Sequence, residues 1–251
     1  MKIKYLVIIF FFFFAEKITA QVNLADSTIS LWMLQVGYKG FIPAGDFAKR
    51  FGYTSTAGMT VGYKWTNNYY VAAGVHALFG GNVKEDSILQ NLTIGGYLID
   101  NQGNFVAPRP SETGFIVPFS VGKIFPVGFS PNKNSGLYAE IGGQFLQHRI
   151  GYNVPRNRIP TLTKEYQKGY DRLTNGFGIT EAFGFRNFSN SSFYNFSLGF
   201  EFGQNFTQNR RTIDFDTGVH DSRKRLDLMF GFSFNWIFPI YKQADDKVHY
   251  Y

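Results

Sequence analysis

The sequence predicts a closed antiparallel up-and-down transmembrane β-barrel of eight strands, with long loops at one end and short turns at the other. Three observations carry this reading. Long segments alternate apolar or aromatic residues with glycine or polar ones, which gives a strand one greasy face and one wet, crowded face. The chain holds 29 Phe, 15 Tyr and 27 Gly, the residues such a barrel uses for its girdles and its interior. The connections between the segments alternate short and long, as they do when one barrel end faces the periplasm and the other the exterior.

Eight segments follow in order. The first, at 30–42, turns Trp32, Leu34, Val36 and Tyr38 to lipid, with Gln35 and Lys39 opposite. The second, at 53–65, shows the alternation most cleanly: Ala57, Met59, Val61, Tyr63 and Trp65 outward, Thr56, Gly58, Thr60, Gly62 and Lys64 inward. The third, at 69–80, sets Tyr69, Val71, Ala73, Val75 and Phe79 against Gly74 and His76. The fourth, at 113–125, sets Phe115, Val117, Phe119 and Val121 against Gly114 and Ser120; its Pro118 cannot donate to a ladder and predicts a bulge.

The fifth, at 137–149, shows Leu137, Ala139, Ile141 and Phe145 against Glu140, Gln144 and His148. The sixth, at 172–186, shows Phe177, Ile179, Phe183 and Phe185 against a glycine-rich face. Glu181 falls on its lipid-facing parity, where a charge is costly, so a local register shift, an interfacial position or a covering protein is expected there. The seventh, at 193–203, shows Tyr194, Phe196, Leu198, Phe200 and Phe202 against Ser197, Gly199 and Glu201. The eighth, at 225–238, shows Leu226, Leu228, Phe230, Phe232, Phe234, Trp236 and Phe238 against Asp227, Gly231 and Ser233. Closure brings Trp32, Trp65 and Trp236 onto neighbouring strands, where with Tyr69 they form one patch of membrane-interface belt. A soluble β-sandwich or lipocalin-like barrel is the competing architecture, since a sheet can bury such a face inward.

The N-terminus reads as a secretory signal over residues 1–20. Lys2 and Lys4 precede a nine-residue apolar run at 6–14, and Ile18, Thr19 and Ala20 precede a cut before Gln21. That run is too short to cross a bilayer as a helix. The chain has no cysteine, which excludes a lipid-anchored cysteine and a disulfide framework. The expected organisation is a barrel over 21–238 and a periplasmic tail over 239–251. Net charge falls from +7 to +5 when Lys2, Lys4, Lys17 and Glu16 leave with the signal. That excess suits anionic lipid head groups or an acidic partner, and export argues against nucleic acid.

In the last strand, Gly231, Phe232, Phe234 and Trp236 resemble the glycine-plus-aromatic signal by which barrel-assembly machinery recognises its outer-membrane clients. The signal end at Ala20 and Gln21, with Phe41, Ile42, Pro43, Ala44, Gly45, Asp46 and Phe47, is similar to small outer-membrane β-barrels of Bacteroidetes-type bacteria. The stretch 168–173 and the tail ending Tyr250 and Tyr251 resemble accessory barrels of envelope machines in that group, for barrel assembly or type IX secretion. The resemblance implies outer-membrane localisation in a Gram-negative cell and a place in a membrane protein complex. The tail departs from the pattern, because such clients end at the aromatic of the last strand. Asp26-Ser27-Thr28 and Asp86-Ser87-Ile88 resemble a short O-glycan acceptor motif, which ordinary turn chemistry explains equally well.

Inward-facing Lys39, Lys64, His76, Glu140, His148, Arg172, Arg186, Glu201 and Asp227 form a mixed set of charges. An eight-stranded interior is about filled by side chains, so these are expected to pair across the lumen as a structural plug; a narrow pore or ligand cavity is the alternative. No catalytic, metal or cofactor site is expected. Glu140 and His148 lie eight residues apart on one strand, more than about 20 Å at roughly 3.3 Å per residue, and no metal-spaced cluster or phosphate loop is present. The long loops carry basic and aromatic residues, among them Tyr170, Arg210 and Arg211, which with Tyr250 and Tyr251 are candidates for contact with lipopolysaccharide or with other outer-membrane or periplasmic proteins. The stretch 97–106 carries its own hairpin signal. The reading is a non-catalytic structural or accessory subunit; a stand-alone transport or lipid-binding barrel is the alternative, and a lipid A-modifying or proteolytic barrel comes third.

Overall fold

The computed structural model describes residues 27–241 apart from 86, 154–158 and 192. Eight long strands form one closed ring: β1 (Leu31–Gly45), β2 (Thr54–Lys64), β3 (Tyr69–Gly80), β6 (Pro110–Phe125), β7 (Gly136–Tyr152), β8 (Thr174–Asn187), β9 (Phe196–Asn209) and β10 (Lys224–Tyr241). Each is antiparallel to its neighbours in sequence, and β10 closes on β1 from Leu31 opposite Tyr241 to Gly45 opposite Asp227. The two-residue strands β4 (Leu98–Ile99) and β5 (Phe105–Val106) pair as a separate hairpin in the loop between β3 and β6. Its turn is held by Asp100, whose carboxylate accepts from the Gln102 and Asn104 amides at 2.9 and 2.8 Å. That hairpin is the one the 97–106 signal anticipates.

Two-residue alternation governs every strand. On β10 the exposed residues Phe230, Phe232, Phe234, Trp236 and Phe238 alternate with less exposed ones, among them the buried Met229, Ser233 and Ile237. The outer wall is thus a largely apolar belt with no unpaired sheet edge among the eight strands, the arrangement a barrel needs to satisfy its backbone within lipid. Of the expected tryptophan patch, Trp32 packs edge-on against Tyr63 at 5.0 Å and Tyr63 against Trp65 at 5.2 Å, while Trp236 lies opposite Val36 and packs on Phe193 at 6.4 Å.

The lumen is closed at both ends by apolar side chains. At the turn end, Leu31, Met33, Tyr70, Ile124, Tyr138, Phe188 and Ile237 pack together. At the loop end, Phe41, Leu78, Ile116, Leu146, Ile150 and Met229 from the strands meet Phe47 and Phe51 from the first loop. The one-turn helix α1 (Phe47–Arg50) folds back over the barrel mouth because Gly45 takes a left-handed φ of +62°. A Cβ there would lie 2.5 Å from the Leu226 carbonyl oxygen, so only glycine permits the turn. Two further glycines make room inside the wall. A Cβ on Gly122 would strike the Tyr70 ring at 2.4 Å, and one on Gly199 the Tyr138 hydroxyl at 2.2 Å.

Several strand ends differ from the sequence reading. β9 continues six residues beyond 203, because Gln204, Phe206 and Gln208 keep the outward parity and their polar partners Asn205, Thr207 and Asn209 fill the lumen. β10 continues past 238 to Tyr241 by pairing with Leu31, so the wall ends three residues later than the expected boundary; residues 1–26 and 242–251 lie outside the described residues. Tyr194 sits in the turn before β9. Pro118 produces no bulge. The β3–β6 register is the same on both sides of it, from Ala73 opposite Phe119 to His76 opposite Ile116, and the ladder simply skips the two pairs between them. Glu181 undergoes no register shift either: the β7–β8 and β8–β9 ladders run unbroken through it, and it points outward.

The plug predicts a stability asymmetry. Phe47 and Phe51 are completely buried. Phe47→Ala or Phe51→Ala should each lower unfolding stability by about 3–5 kcal/mol, read by denaturant titration of the refolded barrel in micelles. Ile94→Ala, at an exposed loop position, should stay within about 0.5 kcal/mol.

Candidate functional site

Between the two apolar caps the lumen holds a layered polar network. Lys39 on β1 pairs with Glu201 on β9 at 2.5 Å. Gln144 donates to Asn205 at 2.8 Å, and Thr60 meets His76 at 3.0 Å. Tyr70 donates to Glu140 at 2.8 Å; Arg186 lies 3.8 Å from the same carboxylate, with its guanidinium over the Tyr70 and Tyr138 rings at 4.3 and 4.8 Å. Nearer the mouth, Asp227 accepts from Thr207 at 2.6 Å and lies 3.2 Å from His148, whose ring is flanked by Phe47 and Phe51 at 5.1 and 5.3 Å. Glu112 accepts from Thr54 at 2.6 Å, a buried pair the strand-by-strand reading overlooked, since its fourth segment began at 113.

Two of the expected lumen charges behave differently. Lys64 is inside and fully buried, yet it meets no carboxylate among the described residues. Its ammonium donates to the Ile29 carbonyl and the Asn134 side-chain oxygen, each at 2.9 Å. Arg172 is outside the lumen altogether. It precedes β8 with a left-handed φ of +46° and joins the loops instead, because a sixth strand starting at 174 leaves it beyond the wall.

The loops form an ordered crown. Arg50 of α1 bonds Glu85 at 2.5 Å and Thr174 at 2.9 Å, and Arg172 bonds the other oxygen of Glu85 at 2.6 Å and also Asp216. Arg211 forks onto Asp171 at 2.7 and 2.5 Å, the bidentate geometry that suits guanidinium and carboxylate. The helix α2 (Lys164–Tyr170) is capped by Thr163, and Tyr170 packs edge-on against Phe215 at 5.6 Å. These contacts correct the expected contact residues. Tyr170 is buried and so is withdrawn from the surface, while Arg211 is half-buried and bonded to Asp171. Arg210 is exposed while bonding Asn175 at 2.6 Å; Tyr250 and Tyr251 lie outside the described residues. In the second acceptor-like motif, Ile88 is buried in the loop-end cluster.

Above the β1–β10 seam, Asp221 receives Arg223 at 3.0 Å and Arg225 at 2.5 Å. The hydrogen bond from Arg223 holds the Asp221 carboxyl well below the ordinary carboxylate range. Its stabilising effect is therefore complete above the ordinary carboxylate pKa and is lost only as pH falls towards the depressed value.

On the outer wall one feature breaks the apolar belt. Glu181 projects from β8 with Ile179 and Phe177 on one side along the strand and Phe183 and Phe185 on the other. Its lateral neighbours are Ile141 and Phe202. Gln204 stands diagonally beside it on β9, and Gly143 on β7 leaves a depression, since a Cβ there would meet only the Gly178 carbonyl oxygen at 3.7 Å. Glu181 makes no ion pair or hydrogen bond among the described residues.

The lumen His148–Asp227 pair is enclosed on all sides, both side chains being inaccessible. Among the described residues no three His, Cys, Asp or Glu side chains converge to hold a metal ion.

No protein-family model matches the chain, and no curated protein does. Solved structures similar to it include Ail, the attachment invasion locus protein of Yersinia pestis, in complex with the heparin analogue sucrose octasulfate (12% identity, TM-score 0.39, covering 82% of this chain and 99% of that one). Neisserial surface protein A is similar at 10% identity and TM-score 0.38, with 82% and 96% covered. Ail without that ligand gives 13% identity and TM-score 0.35.

The crown should loosen as a unit when its central cation is removed. Arg172→Ala should raise the rate of limited proteolysis in the loops at 159–173 and 210–223 about tenfold, equivalent to roughly 1.4 kcal/mol of local opening. Arg210→Ala, which removes a single exposed contact, should leave the cleavage pattern unchanged.

Proposed function

We propose that the chain is a non-catalytic integral outer-membrane barrel that acts by contact, as a structural or accessory subunit of an outer-membrane protein assembly or secretion complex. The observation that carries this reading is Glu181. A carboxylate in the middle of a lipid-facing row, with apolar neighbours along and across the sheet, is unfavourable in lipid. Nothing in the wall turns it inward. A second membrane protein presenting a cation or hydroxyl donor against the β7–β9 face would satisfy it, and Gln204 and the hollow at Gly143 give such a partner a polar contact and a recess.

The chain's own lipid face cannot supply that donor at this height. Among the described residues the outward cations of the strands stand near their ends: Lys123 at the turn end beside Tyr69 and Phe125, and Arg149 and Lys224 at the loop end. A symmetric pair of copies through this face would bring two carboxylates together. The filled lumen supports contact over conduction, and the enclosure of His148 and Asp227 supports a role without turnover.

The test is photo-crosslinking in native outer membranes with a reactive residue at 181, 204 or 59. Met59 lies mid-strand on β2, the wall opposite β8. Discrete adducts at 181 and 204 but not at 59, with co-purification of the adduct partner, are expected. Adducts absent at all three positions, with recovery at monomer size, would sink the reading. Glu181→Leu should abolish the partner's co-purification while stabilising the isolated barrel in micelles by about 1–2 kcal/mol.

A further inference from the structure

The loop end carries a second surface whose chemistry points to a different ligand. Between α1, the start of the β3–β6 loop and the first residues of β10 lies a cleft of about 410 Å³. Seven cationic side chains line it, against two carboxylates, Asp46 and Glu85. Every carboxylate that touches these cations can be counted. Asp46 takes Lys49 at 2.8 Å, Glu85 takes Arg50 and Arg172, Asp216 takes Arg172, and Asp221 takes Arg223 and Arg225. Four acids answer seven bases, so the cleft keeps a surplus of three positive charges among the described residues.

The surplus sits on identifiable groups. Lys84 donates only to the Ala48 carbonyl, at 2.8 Å, and Lys224 has no partner among the described residues. Arg225 is the more telling. Its side chain is nine-tenths buried, one guanidinium nitrogen reaches Asp221, and its Nη1 is buried with no acceptor. A buried guanidinium donor left unmatched costs free energy unless an anion completes it. Around it, Lys49 and Arg223 are largely exposed, held by Asp46 and Asp221 respectively.

The position of the cleft narrows the source of the anion. Its lining residue Lys224 shares the outward parity of Leu226 and Leu228 on β10, which with Ile42 on β1 end the apolar wall below it. An amphiphile whose acyl chain lies along these residues and Phe230 places its head group at the height of Lys224 and Arg225. We infer that the cleft is a binding site for a phosphate monoester group carried by a membrane amphiphile. A dianionic monoester matches the surplus and offers enough acceptors for Lys84, Lys224 and Arg225 together. This site is separate from the β7–β9 face and stands or falls independently of the subunit reading.

The test uses the full barrel in a neutral detergent, titrated with dioctanoyl phosphatidic acid, dioctanoyl phosphatidylcholine and inorganic phosphate. Phosphatidic acid should bind saturably and at least about tenfold more tightly than the choline ester, with affinity falling as salt rises. The double variant Lys84→Gln/Lys224→Gln removes no ion pair among the described residues and should weaken phosphatidic acid about tenfold, the scale of one charge-assisted hydrogen bond. Arg225→Gln should do the same, with denaturant unfolding reporting whether the rim stays folded. Equal binding of both lipids, or phosphatidic acid unaffected by the double variant, would overturn the site. Inorganic phosphate binding as tightly as phosphatidic acid would overturn the lipid-borne source and assign the cleft to the free anion.

Discussion

Closing eight strands into a ring leaves an interior just wide enough to be filled by side chains, and the rest of the structure follows from that. Every second residue of every strand enters the same narrow cylinder. Large inward side chains are admitted only where a neighbouring strand gives up its own, as Gly122 does for Tyr70 and Gly199 for Tyr138. Inward charges must find partners across the lumen, because a lone buried ion is far costlier than a paired one. Lys39 with Glu201, Arg186 with Glu140 and His148 with Asp227 are three solutions to that single problem. The two apolar caps then keep water from the network that satisfies them.

Most of the barrel was legible because strand parity is a local property. The β2 and β3 walls and the inward placement of Lys39, His76, Glu140, His148, Arg186, Glu201 and Asp227 follow from counting by two. The partners of those residues did not follow, since pairing depends on which strands face each other across the ring. The plug at Phe47 and Phe51 was hidden for another reason: it belongs to a loop, and its apolar residues are buried by a reversal at Gly45 that no alternation announces. Arg172 was misassigned by two residues of strand end. Tyr170 and Arg211 were read as exposed because loop residues usually are, whereas ion pairs and ring contacts fold this crown onto itself. Pro118 was expected to bulge the wall, yet an antiparallel ladder can drop a pair without changing register.

A crown built this way suits a surface that acts by shape. Its ion pairs join four loops around Glu85, Asp171 and Asp216, so residues far apart in sequence keep fixed relative positions. Exposed pairs of this kind contribute little singly, but these are partly buried and share partners, which makes the loops ordered or loose together. A rigid platform loses less entropy on binding than free loops would. The same order that withdraws Tyr170 from the surface and bonds Arg211 to Asp171 holds Arg225, Lys84 and Lys224 around one cleft.

Lys64 and Glu181 each lack an opposite charge among the described residues, and they differ in what they say about function. Lys64 is fully buried at the turn end, yet a backbone carbonyl and the Asn134 amide oxygen both point at it. Inside the wall, turns and neighbouring side chains provide neutral acceptors, so an unpaired cation can be accommodated within a single chain. Outside the wall the supply is thin: Gln204 is the polar neighbour of Glu181, and it makes no hydrogen bond to it among the described residues. The backbone around Glu181 is already committed to the ladders on both sides, and its side-chain neighbours are Ile141, Phe202, Ile179 and Phe183. On the proposed reading a partner protein brings the donor to that place. An inward mismatch is thus absorbed by packing within the chain, whereas the outward one at mid-wall is left on the surface, which is why the proposed association is placed on the β7–β9 face and not in the lumen.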